Sequence, residues 1–169
     1  MSTTPALELA SSLRNGLLAW KSEDPHVDRR ALSKAIRDNW DRRIGKAKFG
    51  GVWSISLAKT NLAHPASTEA LKIAREEWSG FTVTVEHAVP IAVLFDAFWA
   101  ANSDPKLQEV IDAYFVAVVT KSEDERLRKS GLASKMPPNW SWGDDTFARW
   151  AIAGISVSTA EQYLKPNHY

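Results

Sequence analysis

Two stretches decide the fold: Phe81-Thr-Val-Thr-Val-Glu-His-Ala-Val-Pro90 and Phe115-Val-Ala-Val-Val-Thr-Lys-Ser-Glu-Asp-Glu-Arg-Leu127. From Phe81 to Glu86, apolar and polar side chains alternate, which is the period of a half-buried strand. The segment Phe115–Val119 is continuously apolar, as expected of a buried strand. We therefore predict that Phe81–Glu86 and Phe115–Val119 are antiparallel neighbours in a small sheet packed by helices.

Helices are predicted after and between these two strands. Ser122 and Glu125 fit an S-x-x-E capping box, which predicts a helix from Glu123, and Gly131 is placed to end it. The insertion Ile91–Tyr114 is strongly apolar at helical spacing and is predicted to be helical. The order is therefore strand, helical insertion, strand and capped helix.

The first eighty residues are predicted to be helical. Leucines at helical spacing indicate a helix over Pro5–Lys21. Asp28 is suited to cap a second helix that reaches Arg43, and its apolar side chains recur every four residues. A third helix is predicted over Thr68–Trp78. The fold class is thus α+β and predominantly helical, with helices around a small antiparallel sheet that could form a ββα-metal core.

Length and composition indicate one globular domain. The chain has 169 residues, of which 44% are hydrophobic, and this permits a substantial core. We divide residues 1–169 into a helical N-terminal part, 1–78, and an α+β C-terminal part, 79–169. The net charge of +1 gives no global attraction to nucleic acid. The absence of cysteine excludes disulfides, cysteine zinc sites and thiol catalysis.

The sequence carries no targeting or membrane signal that we recognise. The N-terminus lacks a basic region followed by an apolar run, and no apolar segment approaches the ~18 residues that span a bilayer. We therefore expect a cytoplasmic protein without a membrane partner.

Glu86 and His87 are adjacent at the predicted end of the first strand. A carboxylate can hold a hard divalent cation, and an imidazole can take a proton from water at neutral pH. The first turn of the capped helix contains Glu123 and Asp124, which could supply further oxygen ligands. One cation and one base are sufficient to hydrolyse a phosphodiester bond.

This arrangement resembles the ββα-metal fold of HNH-type nucleases. The motif Glu86-His87-Ala-Val-Pro90 matches an acidic residue and a histidine at the end of the first strand, with a proline three residues on. The resemblance implies a DNA endonuclease in which Glu86 is a metal ligand and His87 the general base. Asp124 or Glu123 would stand where the family has Asn or His, and the cation would be Mg²⁺ or Mn²⁺ rather than Zn²⁺.

The resemblance covers about fifty residues, and the chain departs from the family pattern within them. The central Asn is absent, no second histidine follows until His168, and the insertion is longer than usual. Glu86 and His87 can equally form a hydrogen-bonded structural pair. Acidic residues are also favoured in any first helical turn by the helix dipole, without a metal.

A run of basic residues follows Asp28 and suggests contacts with DNA phosphates. The predicted nucleic-acid-binding residues are Arg29, Arg30, Lys34, Arg37, Arg42, Arg43 and, on the capped helix, Arg128. The alternative for such a run is a solvated helix face with local ion pairs. We accordingly carry two hypotheses: a metal-dependent HNH-like endonuclease or degenerate relative, and a non-catalytic module that binds nucleic acid or protein, such as an inhibitor or immunity-type partner.

Overall fold

The computed structural model describes residues 4–24, 26–49, 54–60 and 64–157, without the side chains of residues 29, 33, 37, 41, 48, 49 and 57. The sequence also predicts a last short helix capped by Ser158, and this segment lies outside these ranges. The predicted fold class is confirmed: the described chain is predominantly helical around one small antiparallel sheet.

The first two helices are both capped at their N-termini, the second by the predicted residue Asp28. Helix α1 spans Pro5–Glu23, and the Thr4 side chain accepts a hydrogen bond from the backbone N–H of Leu7. Helix α2 spans Arg29–Asn39, and Asp28 Oδ1 accepts from the N–H of Ala31 at 2.7 Å. Both caps satisfy backbone donors that a helix N-terminus leaves unpaired.

The predicted continuous helix to Arg43 is corrected at its end, where a π-helical turn spans Trp40–Ile44. The buried residues Leu32, Ile36, Trp40 and Ile44 recur every four residues, whereas an α-helix turns once in 3.6. Over three steps this mismatch would rotate the last side chain by about 120° away from the core. The wider π turn takes up the surplus and keeps Ile44 buried. Helix α3, Gly45–Phe49, continues from it.

The prediction of a continuous helix over Thr68–Trp78 is wrong. After helix α4, Ile55–Thr60, the chain instead forms two 3₁₀ turns, Ala70–Lys72 and Arg75–Glu77. The indole Nε1 of buried Trp78 donates to the carbonyls of Ala70 and Ile73. The side chain therefore takes the backbone acceptors that a continuous helix would use for itself.

The predicted strand pairing is confirmed. Strand β1, Val83–His87, pairs antiparallel with β2, Val116–Thr120, in the register Val83↔Thr120 to His87↔Val116. On its other side β2 meets Pro65–Ser67 through a parallel bridge, and that segment bridges in turn to Val157. Strand β2 is thus covered on both edges, which agrees with its continuous apolar sequence.

The insertion and the C-terminal part are helical as predicted, with one correction of register. Helices α5 and α6 span Ile91–Ala100 and Asp104–Ala113, and α7 and α8 span Lys121–Lys129 and Ala148–Ile152. The capping box of α7 is formed by Thr120 and Glu123, two residues before the predicted pair.

One core joins the two halves of the chain. It contains side chains of α1 and α2 together with those of α5, α6, β2 and α8. A smaller cluster around Trp78, Val83 and Val118 lies under the 3₁₀ turns. Within the described ranges, no helix combines the length and apolar character that a membrane span would need.

Candidate functional site

Glu86 and His87 lie at the end of β1, as predicted, but on opposite faces of the sheet. Glu86 pairs in register with Ala117 and His87 with Val116. Successive side chains of a strand point to opposite faces, so adjacency in sequence separates the two groups in space. The strand itself therefore does not direct the carboxylate and the imidazole to one point.

The carboxylate of Glu86 is an ion-pair partner of Arg149. The Arg149 side chain is fully buried, and its Nη2 donates to Glu86 Oε1 and to the carbonyl of His87. Its Nε donates to the carbonyl of Ala88 and its Nη1 to that of Leu132, each at 2.7 Å. A buried guanidinium requires both charge compensation and acceptors for its donors, and Glu86 supplies the charge.

His87 is half-buried at the edge of an aromatic cluster. Its ring centroid lies 5.6 Å from that of Tyr114, which lies 5.7 Å from that of Trp40. Trp40 in turn contacts Phe98 edge to face at 5.3 Å. The imidazole thus adjoins the packing between the π turn, the insertion and the sheet, which is a sufficient structural role for it.

Glu123, predicted as a metal ligand, closes the capping box of α7 and is fully buried. Its Oε2 accepts from the backbone N–H of Thr120 at 2.8 Å, from the Thr120 hydroxyl at 3.0 Å and from the Ser67 hydroxyl at 2.6 Å. Its Oε1 lies 3.8 Å from Nη2 of Arg126. The neighbouring Asp124 forms an ion pair with Arg128 at 2.6 Å.

The antiparallel register keeps these two acidic groups apart. Glu86 lies opposite Ala117, whereas α7 begins after Thr120, three residues further along β2. At about 3.4 Å per residue, the start of α7 is roughly 10 Å away along the sheet. Among the described residues, no group of three or more His, Asp or Glu side chains is placed to hold a metal ion. The carboxylates predicted as ligands are engaged within the chain: Glu86 by Arg149, Glu123 by the cap and Asp124 by Arg128.

The sequence reasoning missed two residues that determine how these carboxylates are used. Arg149 lies 63 residues from Glu86, and Ser67 lies 56 residues from Glu123. One signal was present for the first: Arg149 lies directly beside Trp150 in a short apolar helix, where a charged side chain needs a buried partner. No local signal identifies Ser67.

The predicted basic run forms an exposed surface. We define the basic surface as Arg30, Lys34, Arg42, Arg43 and Lys46, all of which are exposed on α2, the π turn and α3. Lys34 forms an ion pair with Asp38 at 2.8 Å. The other four form no ion pair with a carboxylate of the described residues. The side chains of Arg29 and Arg37, also predicted to bind nucleic acid, lie outside the described residues.

The basic residues of α7 differ in their pairing. Arg128 bonds to Asp124, and Lys129 lies 3.9 Å from Glu125. Arg126 donates from Nε and Nη2 to the carbonyls of Ala153 and Gly154. Local partners thus compensate the charges of these three residues.

Comparison with known proteins adds no further assignment, since no family model, no curated protein and no solved structure matches this chain.

Proposed function

We propose that this protein is a non-catalytic binding module that contacts the phosphates of nucleic acid through its basic surface. The observation that carries the proposal is the unequal pairing of cations: four of the five on the basic surface lack a described carboxylate partner, whereas Arg126, Arg128 and Lys129 of α7 have local partners. An unpaired guanidinium or ammonium group can exchange solvent and counterions for phosphate oxygens at low cost. The alternative of a solvated face predicts local compensation, which these three residues of α7 have.

The small net charge makes this local arrangement important. With a total of +1, the protein has no global field to collect polyanions. Charges act over about 8–10 Å at physiological ionic strength, so only cations grouped on one surface reinforce one another. Arg42, Arg43 and Lys46 follow each other within one short segment of the π turn and α3. This grouping suits neighbouring phosphates.

Neutralising Arg42 and Arg43 by glutamine is expected to weaken binding to duplex DNA and to reduce its salt dependence. Each phosphate contact contributes about 0.9 to the slope of log K against log salt, so the slope should fall by roughly two. The matched control is Arg128→Gln with Lys129→Gln, which changes the net charge equally on α7 and should leave the slope near that of the wild type. Mobility shifts at several salt concentrations measure both. Equal losses in the two variants would contradict the proposal.

The HNH-like endonuclease hypothesis remains a prediction, and the order β1, β2 and capped α7 is the observation in its favour. Its base, His87, permits a direct test. On our proposal the wild type should not nick plasmid DNA with Mg²⁺ or Mn²⁺, and His87→Ala should lower the melting temperature because it removes the contact with Tyr114. Cation-dependent nicking that His87→Ala abolishes, with an unchanged melting temperature, would instead support the nuclease.

A further inference from the structure

Phe81 is the most exposed large apolar side chain among the described residues, at 94% of its maximum. It lies in the turn that precedes β1, and this turn is held by several hydrogen bonds. The N–H of Ser79 donates to Thr82 Oγ1 at 2.9 Å, and the N–H groups of Thr82 and Val83 donate to the Ser79 carbonyl at 3.1 and 3.0 Å. A fixed backbone thus presents a nearly bare aromatic ring to solvent.

A cationic cleft lies directly beside this turn. Its volume is about 510 Å³, and its wall includes Thr82, the residue that follows Phe81. The carbonyl of Thr82 accepts from the backbone N–H of Lys121 at 3.0 Å, so the turn and the start of α7 are joined. The charged residues that line the cleft are Lys72, Lys121, Arg126 and Glu69. Lys72 bonds to Glu69 at 2.7 Å, whereas Lys121 forms no ion pair with a described carboxylate.

We propose that Phe81 and this cleft bind single-stranded nucleic acid, with a base stacked on the Phe81 ring and the adjoining phosphate at Lys121. An exposed aromatic ring beside a positively charged groove is the arrangement by which single strands are bound without sequence preference. Duplex DNA keeps its bases stacked inside and offers no face to the ring. The inference rests on the proposed nucleic-acid-binding function and adds to it a second site, whose ligand is a single strand.

The rigid turn favours this occupant over a nonspecific apolar contact. Because hydrogen bonds fix the backbone of the turn, a base that covers the ring needs to order only the two χ angles of Phe81, at a small entropic cost. The cleft has three cationic side chains and one carboxylate. This excess of positive charge complements a phosphate and disfavours a peptide that is apolar and has few acidic residues. This site lies at the α7 end of the sheet, whereas Tyr114, which packs against Trp40 of the π turn, precedes β2 at the other end. It is therefore distinct from the basic surface.

The test measures binding of fluorescent oligothymidylate, an abasic oligonucleotide of equal length and a duplex to the full chain. We expect Phe81→Leu, which keeps an apolar side chain but lacks a π face, to weaken oligothymidylate binding roughly tenfold and to leave duplex binding unchanged. Phe81→Trp should retain the affinity for oligothymidylate. The wild type should bind the abasic strand as weakly as Phe81→Leu binds oligothymidylate. Ile152→Ala, which removes another exposed apolar side chain on α8, serves as the control.

Failure of this inference is distinguishable from failure of the proposed function. Unchanged oligothymidylate binding by Phe81→Leu overturns the stacking site, while the Arg42→Gln and Arg43→Gln variant still tests the basic surface with duplex DNA. A wild type that binds the abasic strand as tightly as oligothymidylate also overturns it. If sedimentation shows a dimer that Phe81→Leu converts to a monomer, the ring is covered by a second copy and the inference is wrong.

Discussion

Replacing Glu86 by alanine is expected to lower the free energy of unfolding by about 3–5 kcal/mol, the usual cost of removing one partner from a buried ion pair. Arg149 is fully buried, and Glu86 is its carboxylate partner. Without Glu86, the guanidinium keeps its four backbone carbonyl acceptors but loses the negative charge that compensates it. Because Glu86 is still 20% exposed, water can partly replace the carboxylate, and the loss should fall toward the lower end.

For a domain of this size, that loss corresponds to a melting temperature lower by roughly 6–20 °C. Urea unfolding followed by tryptophan fluorescence measures the free energy directly. Glu86→Gln should be intermediate, since its amide oxygen can accept from Arg149 but carries no charge. The control is Glu125→Ala, which removes an exposed pair with Lys129 at 3.9 Å and should cost less than about 1 kcal/mol.

The same variant separates the two roles of Glu86. A metal ligand at a solvated site is dispensable for folding, so its removal would leave the unfolding curve unchanged and abolish cation binding. A counter-charge to a buried arginine is required for folding at any cation concentration. An unchanged urea midpoint for Glu86→Ala would therefore contradict the role of Glu86 as the counter-charge of Arg149 and support its predicted role as a metal ligand.

The strand pairing could be predicted because its signals are local. Alternation to Glu86 and the apolar run Phe115–Val119 each report which side chains are buried, and two such segments suffice for one antiparallel pair. The helix over Thr68–Trp78 was predicted wrongly because the deciding interaction, from the Trp78 indole to the Ala70 and Ile73 carbonyls, is a tertiary choice of the side chain. Helical spacing contains no information about it.

The capping box illustrates an ambiguity that sequence could not remove. Thr120-x-x-Glu123 and Ser122-x-x-Glu125 both satisfy the S/T-x-x-E pattern. The first is used because Thr120 ends β2 with extended backbone angles and because Ser67, distant in sequence, donates to Glu123. Strand termination and a long-range partner thus select the register between two locally equivalent helix starts.

The candidate site was harder to predict than the fold. The antiparallel pairing of β1 and β2 already implies that the start of α7 lies at the opposite end of the sheet from His87, and this consequence was available from the sequence. The pairing of Glu86 with Arg149 was not, because the residues are 63 positions apart and the apolar surroundings of Arg149 indicate a buried partner without identifying it. The carboxylate of Glu86, predicted to bind a divalent cation, instead forms an ion pair with the guanidinium of Arg149 in the same chain.

Removal of the Glu123 side chain is the second change with a large expected effect. Glu123→Ala deletes an acceptor of three hydrogen bonds and leaves the Thr120 N–H and the Ser67 hydroxyl without it. Hydrogen bonds to a charged group contribute about 1.5–3 kcal/mol, and an unsatisfied buried donor costs about 1–3 kcal/mol. Because these contributions overlap, we expect a loss of roughly 2–4 kcal/mol. Urea unfolding is again the measurement.

Glu123→Gln is the matched control, because it keeps an acceptor of the same shape and removes only the charge. Its amide oxygen can take the place of Oε2, and its amide nitrogen would replace Oε1, which is buried without a hydrogen bond. The nitrogen is a poor neighbour for Arg126, 3.8 Å away, so a smaller loss than for alanine is expected rather than none. Equal losses for Gln and Ala would show that the charge, not the hydrogen bonding, holds the end of β2 to Ser67. A Glu123→Ala variant as stable as the wild type would contradict the stabilising role of the cap, because a buried side chain that holds α7 in place cannot be removed without cost.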